Sequence, residues 1–181
     1  MVKMARSAVP NIFTFANLGC GVLSLMMTFQ ENFKLAAIFI ILACLADRYD
    51  GRVARFLKVD SPIGKELDSL ADLVSFGVAP SILAFNIFGF SNLGFAGYLI
   101  ALLLPISGAY RLARFNVTEF DGEFFGIPIT FAGMFMAVYC LISAFYSTPN
   151  YIAPSGISII TILIMASLSY LMVSKHRVKK F

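Results

Sequence analysis

The stretch Asp47-Arg48-Tyr49-Asp50-Gly51-Arg52-Val53-Ala54-Arg55, followed after eight residues by Gly64-Lys65-Glu66-Leu67-Asp68-Ser69-Leu70-Ala71-Asp72, sets four carboxylates inside otherwise membrane-grade apolar sequence. Charged side chains are costly at bilayer depth, so such a cluster marks function by default. On a helix advancing about 100° per residue, Asp47, Asp50, Gly51 and Ala54 share one arc, and Arg48, Arg52 and Arg55 occupy the adjacent one. On the next segment Gly64, Asp68, Ala71, Asp72 and Ser75 share a face, and Ser61-Pro62 supplies a cap and a first-turn proline for its start. The short link 58–61 makes the two helices antiparallel neighbours. A rise of about 1.5 Å per residue puts Asp47 and Asp72 about 15 Å from the turn and Asp50 and Asp68 about 9 to 12 Å from it. The four carboxylates are therefore expected to meet across the hairpin.

The rest of the chain fixes the solvent. Hydrophobic residues make up 59% and charged residues only 13%, with a mean hydropathy of +0.84; soluble domains carry about 25% charged residues. This is the composition of an all-α integral membrane protein. Segments 10–28, 34–57, 62–90, 93–115, 126–146 and 152–174 are each near or above the roughly 20 residues that cross a hydrocarbon core, which predicts a six-helix bundle forming one domain over 1–181. The first apolar stretch is interrupted by Asn17, Gly19 and Gly21 and lacks a small-residue cleavage site, so it reads as a retained helix. Cys20, Cys44 and Cys140 lie in apolar segments without metal-ligand spacing and read as small packing residues.

With six spans, both termini share a side, and that side collects every Lys and Arg except Lys34. The positive-inside rule makes it cytoplasmic, in a multi-pass protein of the cell membrane whose acidic site faces the cytoplasm. Such a basic face suits anionic headgroups and phosphorylated substrates. Nucleic acid is excluded as a partner because the basic residues border spans and form no soluble groove.

Four acids in a low-dielectric site repel one another and must take up protons or be neutralised by cations. An all-oxygen set favours Mg²⁺ or Mn²⁺ over zinc, and the one histidine, His176, lies in the tail. Gly51, Ala54 and Gly64 leave room for a phosphate beside the backbone, or for close helix packing. Arg111 and Arg114, three apart near the end of the fourth span beside Tyr110, suit a carboxylate or phosphate, or serve as membrane anchors. Pro80 and Pro105 are expected to bend their helices and open a cavity beside the acidic hairpin. A divalent-cation transporter could use the same quartet, but it needs access from both sides, and only Glu31 and Lys34 stand opposite.

The pattern D-x-x-D-G-x-x-A-R-x8-G-x3-D-x3-D, filled at every specified position from Asp47 to Asp72, resembles the defining motif of the CDP-alcohol phosphotransferases. Within that family, Pro10-Asn11-x-x-Thr14-x-x-Asn17, the run ELDSLADLVSFGVAP from Glu66 to Pro80, and Tyr110-Arg-Leu-Ala-Arg-Phe-Asn116 with Phe125-Gly-Ile-Pro128 are similar to bacterial and archaeal type II phosphatidylserine synthases. The resemblance implies transfer of a phosphatidyl group from a CDP-linked lipid to the hydroxyl of L-serine, with release of CMP, in a homodimer. It implies two divalent ions on Asp47, Asp50, Asp68 and Asp72, with Asp72 also the general base. It further implies a CDP-lipid site at Gly51, Ala54, Arg55 and Gly64, with Asn11 and Thr14 near the nucleotide. Asn11 also reads as a cap at a helix entrance. Arg111 and Arg114 would meet the acceptor. The same chemistry on glycerol 3-phosphate or inositol 3-phosphate is the alternative, and would call for additional basic residues.

Overall fold

The computed structural model describes residues 2–57, 62–117, 124–146, 155–174 and 177–178; for 2–11, 50, 53–57, 124–125, 155–156 and 177–178 it describes the backbone alone. The elements are α1 (Val2–Phe29), α2 (Phe33–Leu57), α3 (Pro62–Asp72), a π-helical segment (Leu73–Val78), α4 (Ala79–Ile87), a 3-10 turn (Phe90–Leu93), α5 (Phe95–Val117), α6 (Ile129–Tyr146) and α7 (Ser155–Val173). Two short strands, β1 (Phe124–Phe125) and β2 (Arg177–Val178), pair antiparallel. The architecture is otherwise all-helical.

Among the described residues four helices are long and apolar enough to cross a membrane: Ile12–Phe29, Pro62–Ile87, Phe95–Val117 and Ile129–Tyr146. The acids and bases of the quoted motif interrupt α2, and the apolar part of α7, Ile157–Val173, is shorter. Burial is inverted relative to a soluble protein. Ile12, Phe15, Met26, Phe95, Phe131 and Ile142 point outward, whereas α1 buries Thr14, Asn17, Gly21, Ser24 and Thr28 on one stripe. Small and polar residues at such a seam let backbones approach, and Thr28 Oγ1 donates to Ser24 O at 2.9 Å, so the hydroxyl is not left unpaired.

Pro62–Ile87 is the central helix: 61% of an apolar 18-residue stretch of it is buried, against 28% of Ile12–Phe29 and of such a stretch of Phe95–Val117. Ala36, Ala37, Ile40 and Ala43 of α2 and Ala132, Met136, Ala137 and Cys140 of α6 form the core around it with Phe76, Ala79 and Leu83. At Gly133 a Cβ would stand 2.6 Å from Phe76 Cα, so only glycine lets α6 come this close.

Two expectations change. Helix α1 starts at Val2 and runs through Pro10, so Asn11 is not at a helix entrance; residues 4–6, Met-Ala-Arg, are good helix formers and carry the helix upstream despite the hydrogen bond that proline forgoes. The segment 62–90 is not one regular helix. Pro80 has no N–H for the Phe76 carbonyl, and the helix widens just before it, with the Ala79 N–H bonding Val74 O five residues back. Gly77 lies against Pro105, whose Cα is 3.4 Å from the position of a Gly77 Cβ, so the two irregular backbones pack together. A groove of about 590 Å³ runs between α5 and α7, lined by Leu99, Leu103, Ile106, Tyr110 and Tyr170 among others, with no acidic residue on it.

Candidate active site

Helix α2 ends and α3 begins at the same edge of the bundle, which brings Asp47 of α2 beside Asp68 and Asp72 of α3. One carboxylate oxygen from each lies within 4.8 Å of the other two. Asp47 and Asp68 are half-buried, and Asp72, at 7% exposure, is the deep member. Three hard oxygen donors at this separation fit a Mg²⁺- or Mn²⁺-sized ion. The side chains of Asp50, Ala54, Arg55 and Asn11 lie outside the described residues, so the expected fourfold convergence is described for three carboxylates.

The i, i+4 spacing of Asp68 and Asp72 accounts for their shared face. What holds Asp72 was not among the expected site residues. Asn17 of α1, fully buried, donates from Nδ2 to Asp72 Oδ1 at 2.9 Å. Its own backbone carbonyl accepts from Ser75 Oγ at 2.9 Å, in the π-helical segment that follows Asp72. The contact depends on Gly21, where a Cβ would collide with Ser75 Oγ. Asn17 Oδ1 is buried with no hydrogen-bond partner among the described residues, an orphan of the kind that binding sites retain. The signal was present in the sequence: Asn17 is a polar residue one turn beyond Thr14, and both sit on the buried stripe of α1.

Thr14 is buried beside this network, Gly64 is half-buried on α3, and Gly51 is exposed with open space where a Cβ would be.

The arginine pair divides. Arg114 Nη1 donates to Val173 O at 3.1 Å, at the last turn of α7, and its guanidinium lies 5.8 Å from the Tyr110 ring centroid. Arg111 lies within electrostatic reach of Asp72 instead, and its Nε is buried without a hydrogen-bond partner among the described residues. One turn further out, Asn116 Nδ2 donates to Ser69 Oγ at 3.0 Å and to Glu66 Oε1 at 3.2 Å, joining the end of α5 to α3. The Gly126-Ile-Pro128 run braces the same end of the bundle: Gly126 has φ 72, a Cβ there would meet Leu171 O at 2.8 Å, and the Ile127 N–H bonds Leu171 O at 3.3 Å.

Comparison with known proteins agrees with this arrangement. Residues 7–172 match the CDP-alcohol phosphatidyltransferase family. The chain is 38% identical over 174 residues to a CDP-diacylglycerol–serine O-phosphatidyltransferase of Bacillus subtilis, covering 96% of this chain and 90% of the relative. It is 38% identical over 136 residues to the Helicobacter pylori protein of the same name, covering 74% of this chain and 56% of that protein. An archaetidylserine synthase of Methanothermobacter thermautotrophicus is 34% identical over 169 residues, covering 90% of this chain and 69% of the relative. With the family motif filled at every position and three of its carboxylates brought together at one edge of a helical bundle, the chain belongs to the CDP-alcohol phosphatidyltransferase family.

Proposed function

We propose that the protein transfers a phosphatidyl group from a CDP-linked lipid to the hydroxyl of L-serine, releasing CMP. The observation that carries this reading is the Asp47–Asp68–Asp72 cluster, whose oxygens lie within 4.8 Å of one another in the hairpin that bears the family motif. The names of the most similar relatives supply the acceptor. In the balanced reaction the serine oxygen bonds to the lipid-side phosphorus, the bond from that phosphorus to the CMP oxygen breaks, and the hydroxyl proton leaves with a base.

Asp72 is the residue for that proton. It is buried, it is oriented by Asn17, and Asn17 occupies one of its oxygens, which leaves the other for the acceptor hydroxyl. Asp47, Asp68 and Asp72, with Asp50 as the fourth motif carboxylate, would hold the pair of Mg²⁺ or Mn²⁺ ions; when bound, such ions offset the charge of the diphosphate and of the departing phosphate. Gly51, Ala54, Arg55 and Gly64, with Asn11 and Thr14, form the CDP-lipid side of the site. Arg111 rather than Arg114 faces the acceptor, because Arg114 is engaged with α7. In this reading residues 1–181 form one domain with six spans and both termini cytoplasmic, the site opens at the cytoplasmic surface, and the enzyme works as a homodimer. A transporter does not fit a family defined by group transfer.

The test is CMP release by purified protein supplied with CDP-diacylglycerol, Mn²⁺ or Mg²⁺, and one alcohol at a time. Release with L-serine, abolished by EDTA and restored by either ion, is expected. Release with glycerol 3-phosphate or inositol 3-phosphate and none with serine would replace the acceptor; undiminished release in excess EDTA would remove the metal assignment.

A further inference from the structure

Two buried polar atoms between α3 and α5 lack a hydrogen-bond partner among the described residues: Arg111 Nε, a donor, and Asn116 Oδ1, an acceptor. Native proteins keep few such groups, because each loses its hydration without replacement. Their surroundings decide what each can receive. Asn116 Nδ2 donates to Glu66 Oε1 and Ser69 Oγ. An ionised carboxylate only accepts, so the amide cannot be turned over, and Oδ1 remains the acceptor. With the Glu66 charge adjacent, this end of the seam suits a cation bearing N–H donors. Arg111, within electrostatic reach of Asp72, suits an anion. Ser69 precedes Asp72 by three residues, about 4.5 Å along the helix, so the Asn116 amide sits one turn from the carboxylate that faces the hydroxyl. An alcohol whose neighbouring carbon carries both an ammonium and a carboxylate brings the two charges that this seam receives.

We infer that Asn116 Oδ1, held by Glu66 and Ser69, receives the ammonium of an α-amino-acid acceptor while Arg111 Nε receives its carboxylate. The α3–α5 seam thus selects a zwitterion and turns its hydroxyl toward Asp72. This deepens the serine assignment above and rests on it. Because both atoms are sealed from bulk solvent, the acceptor displaces neighbouring side chains to meet them, while Glu66 and Ser69 keep the Asn116 amide in place. Phosphorylated alcohols are disfavoured by the same geometry, since they would bring an anion to the Glu66 end.

The experiment measures the serine KM of the full chain by CMP release, together with competitive inhibition by 3-hydroxypropanoate, which lacks the ammonium, and by serinol, which lacks the carboxylate. In Asn116→Leu the serine KM is expected to rise about 10- to 100-fold, the scale of a lost hydrogen bond to a charged group, with 3-hydroxypropanoate inhibition and the CDP-lipid KM unchanged. Glu66→Gln keeps an acceptor for Asn116 but removes the charge, so it should shift serine in the same selective way and by less. Arg111→Lys is the mirror: serine and 3-hydroxypropanoate weaken together while serinol does not. If Asn116→Leu weakens all these ligands and the lipid alike, Asn116 only pins α5 to α3 and the inference fails. It fails too if Glu66→Gln, at an exposed position that leaves the fold intact, gives a parental serine KM. Parental protein that turns over phosphorylated alcohols and not serine fails the acceptor assignment itself, before any variant is made.

Discussion

Replacing Asn17 by leucine removes the amide that donates to Asp72 Oδ1 at 2.9 Å and changes little else in size. A hydrogen bond to a charged group contributes about 1.5 to 3 kcal/mol. If that interaction holds the carboxylate where it accepts the serine proton, then at 1.36 kcal/mol per tenfold in rate, kcat falls about 10- to 150-fold. Stability should not follow. The same substitution removes Asn17 Oδ1, a buried acceptor with no hydrogen-bond partner among the described residues, and it leaves in place the backbone carbonyl that accepts from Ser75 Oγ. Those effects offset, so unfolding is expected within about 1 kcal/mol of the parent.

The assay is CMP release at saturating serine and CDP-lipid across a Mn²⁺ titration, with thermal unfolding in detergent followed by circular dichroism. The kcat loss should persist at saturating Mn²⁺, and Asn17→Ala should reproduce it. An unchanged kcat at saturating Mn²⁺ in both variants would mean that the Asn17–Asp72 bond is only a packing contact. Loss of kcat strictly in proportion to lost fold would mean the same.

Within the carboxylate cluster, Asp72→Asn keeps one ligating oxygen and loses the proton acceptor, so turnover should fall about 10²-fold or more while Mn²⁺ binding by electron paramagnetic resonance is retained. Asp47→Asn should weaken Mn²⁺ binding itself; identical profiles for the two variants would reject the division of roles. Gly133→Ala puts a Cβ 2.6 Å from Phe76 Cα and is expected to destabilise by about 1 to 3 kcal/mol, with an unchanged unfolding temperature refuting the close approach of α6 to the π-helical segment. Single cysteines at Val117 and Glu31, in a background lacking the native three, should label from the cytoplasmic and the opposite side respectively, and the reverse pattern would overturn the orientation.

The acidic hairpin was legible in the sequence because its determinants are local. A four-residue step joins Asp68 to Asp72, and rise per residue sets the level at which Asp47 meets them. Helix existence was legible for the same reason, since apolar length is a local property. Helix ends and irregularities were not. The start of α1 at Val2 rests on helix formers upstream of a proline that alone looks like a beginning. The π-helical widening depends on how the Phe76 carbonyl is relieved before Pro80, which needs the position of α5 and its Pro105. Contacts between distant segments were least accessible: Asn17 meets Asp72 55 residues away, and Asn116 meets Glu66 50 away, through side-chain reach that no spacing rule reports.

Those two contacts divide α3 by face, which bears on how a fold of this kind can change its acceptor. At about 100° per residue, Asp68 and Asp72 lie about 40° apart, Ser69 about 60° beyond Asp72, and Glu66 about 60° beyond Ser69. The first arc meets Asp47 of α2 and the Asn17 amide of α1; the second meets Asn116 of α5. Asp72 stands at the boundary, in electrostatic reach of Arg111. Residues proposed to hold ions and the CDP-lipid are thus on one side of the helix, and residues proposed to face the acceptor are on the other, with the proposed base common to both. A substitution at Glu66, Ser69 or Asn116 can therefore alter which alcohol is accepted without displacing a metal-ligating carboxylate. A change at Asn17 or Gly21, by contrast, acts on Asp72 itself and should lower turnover for every acceptor alike.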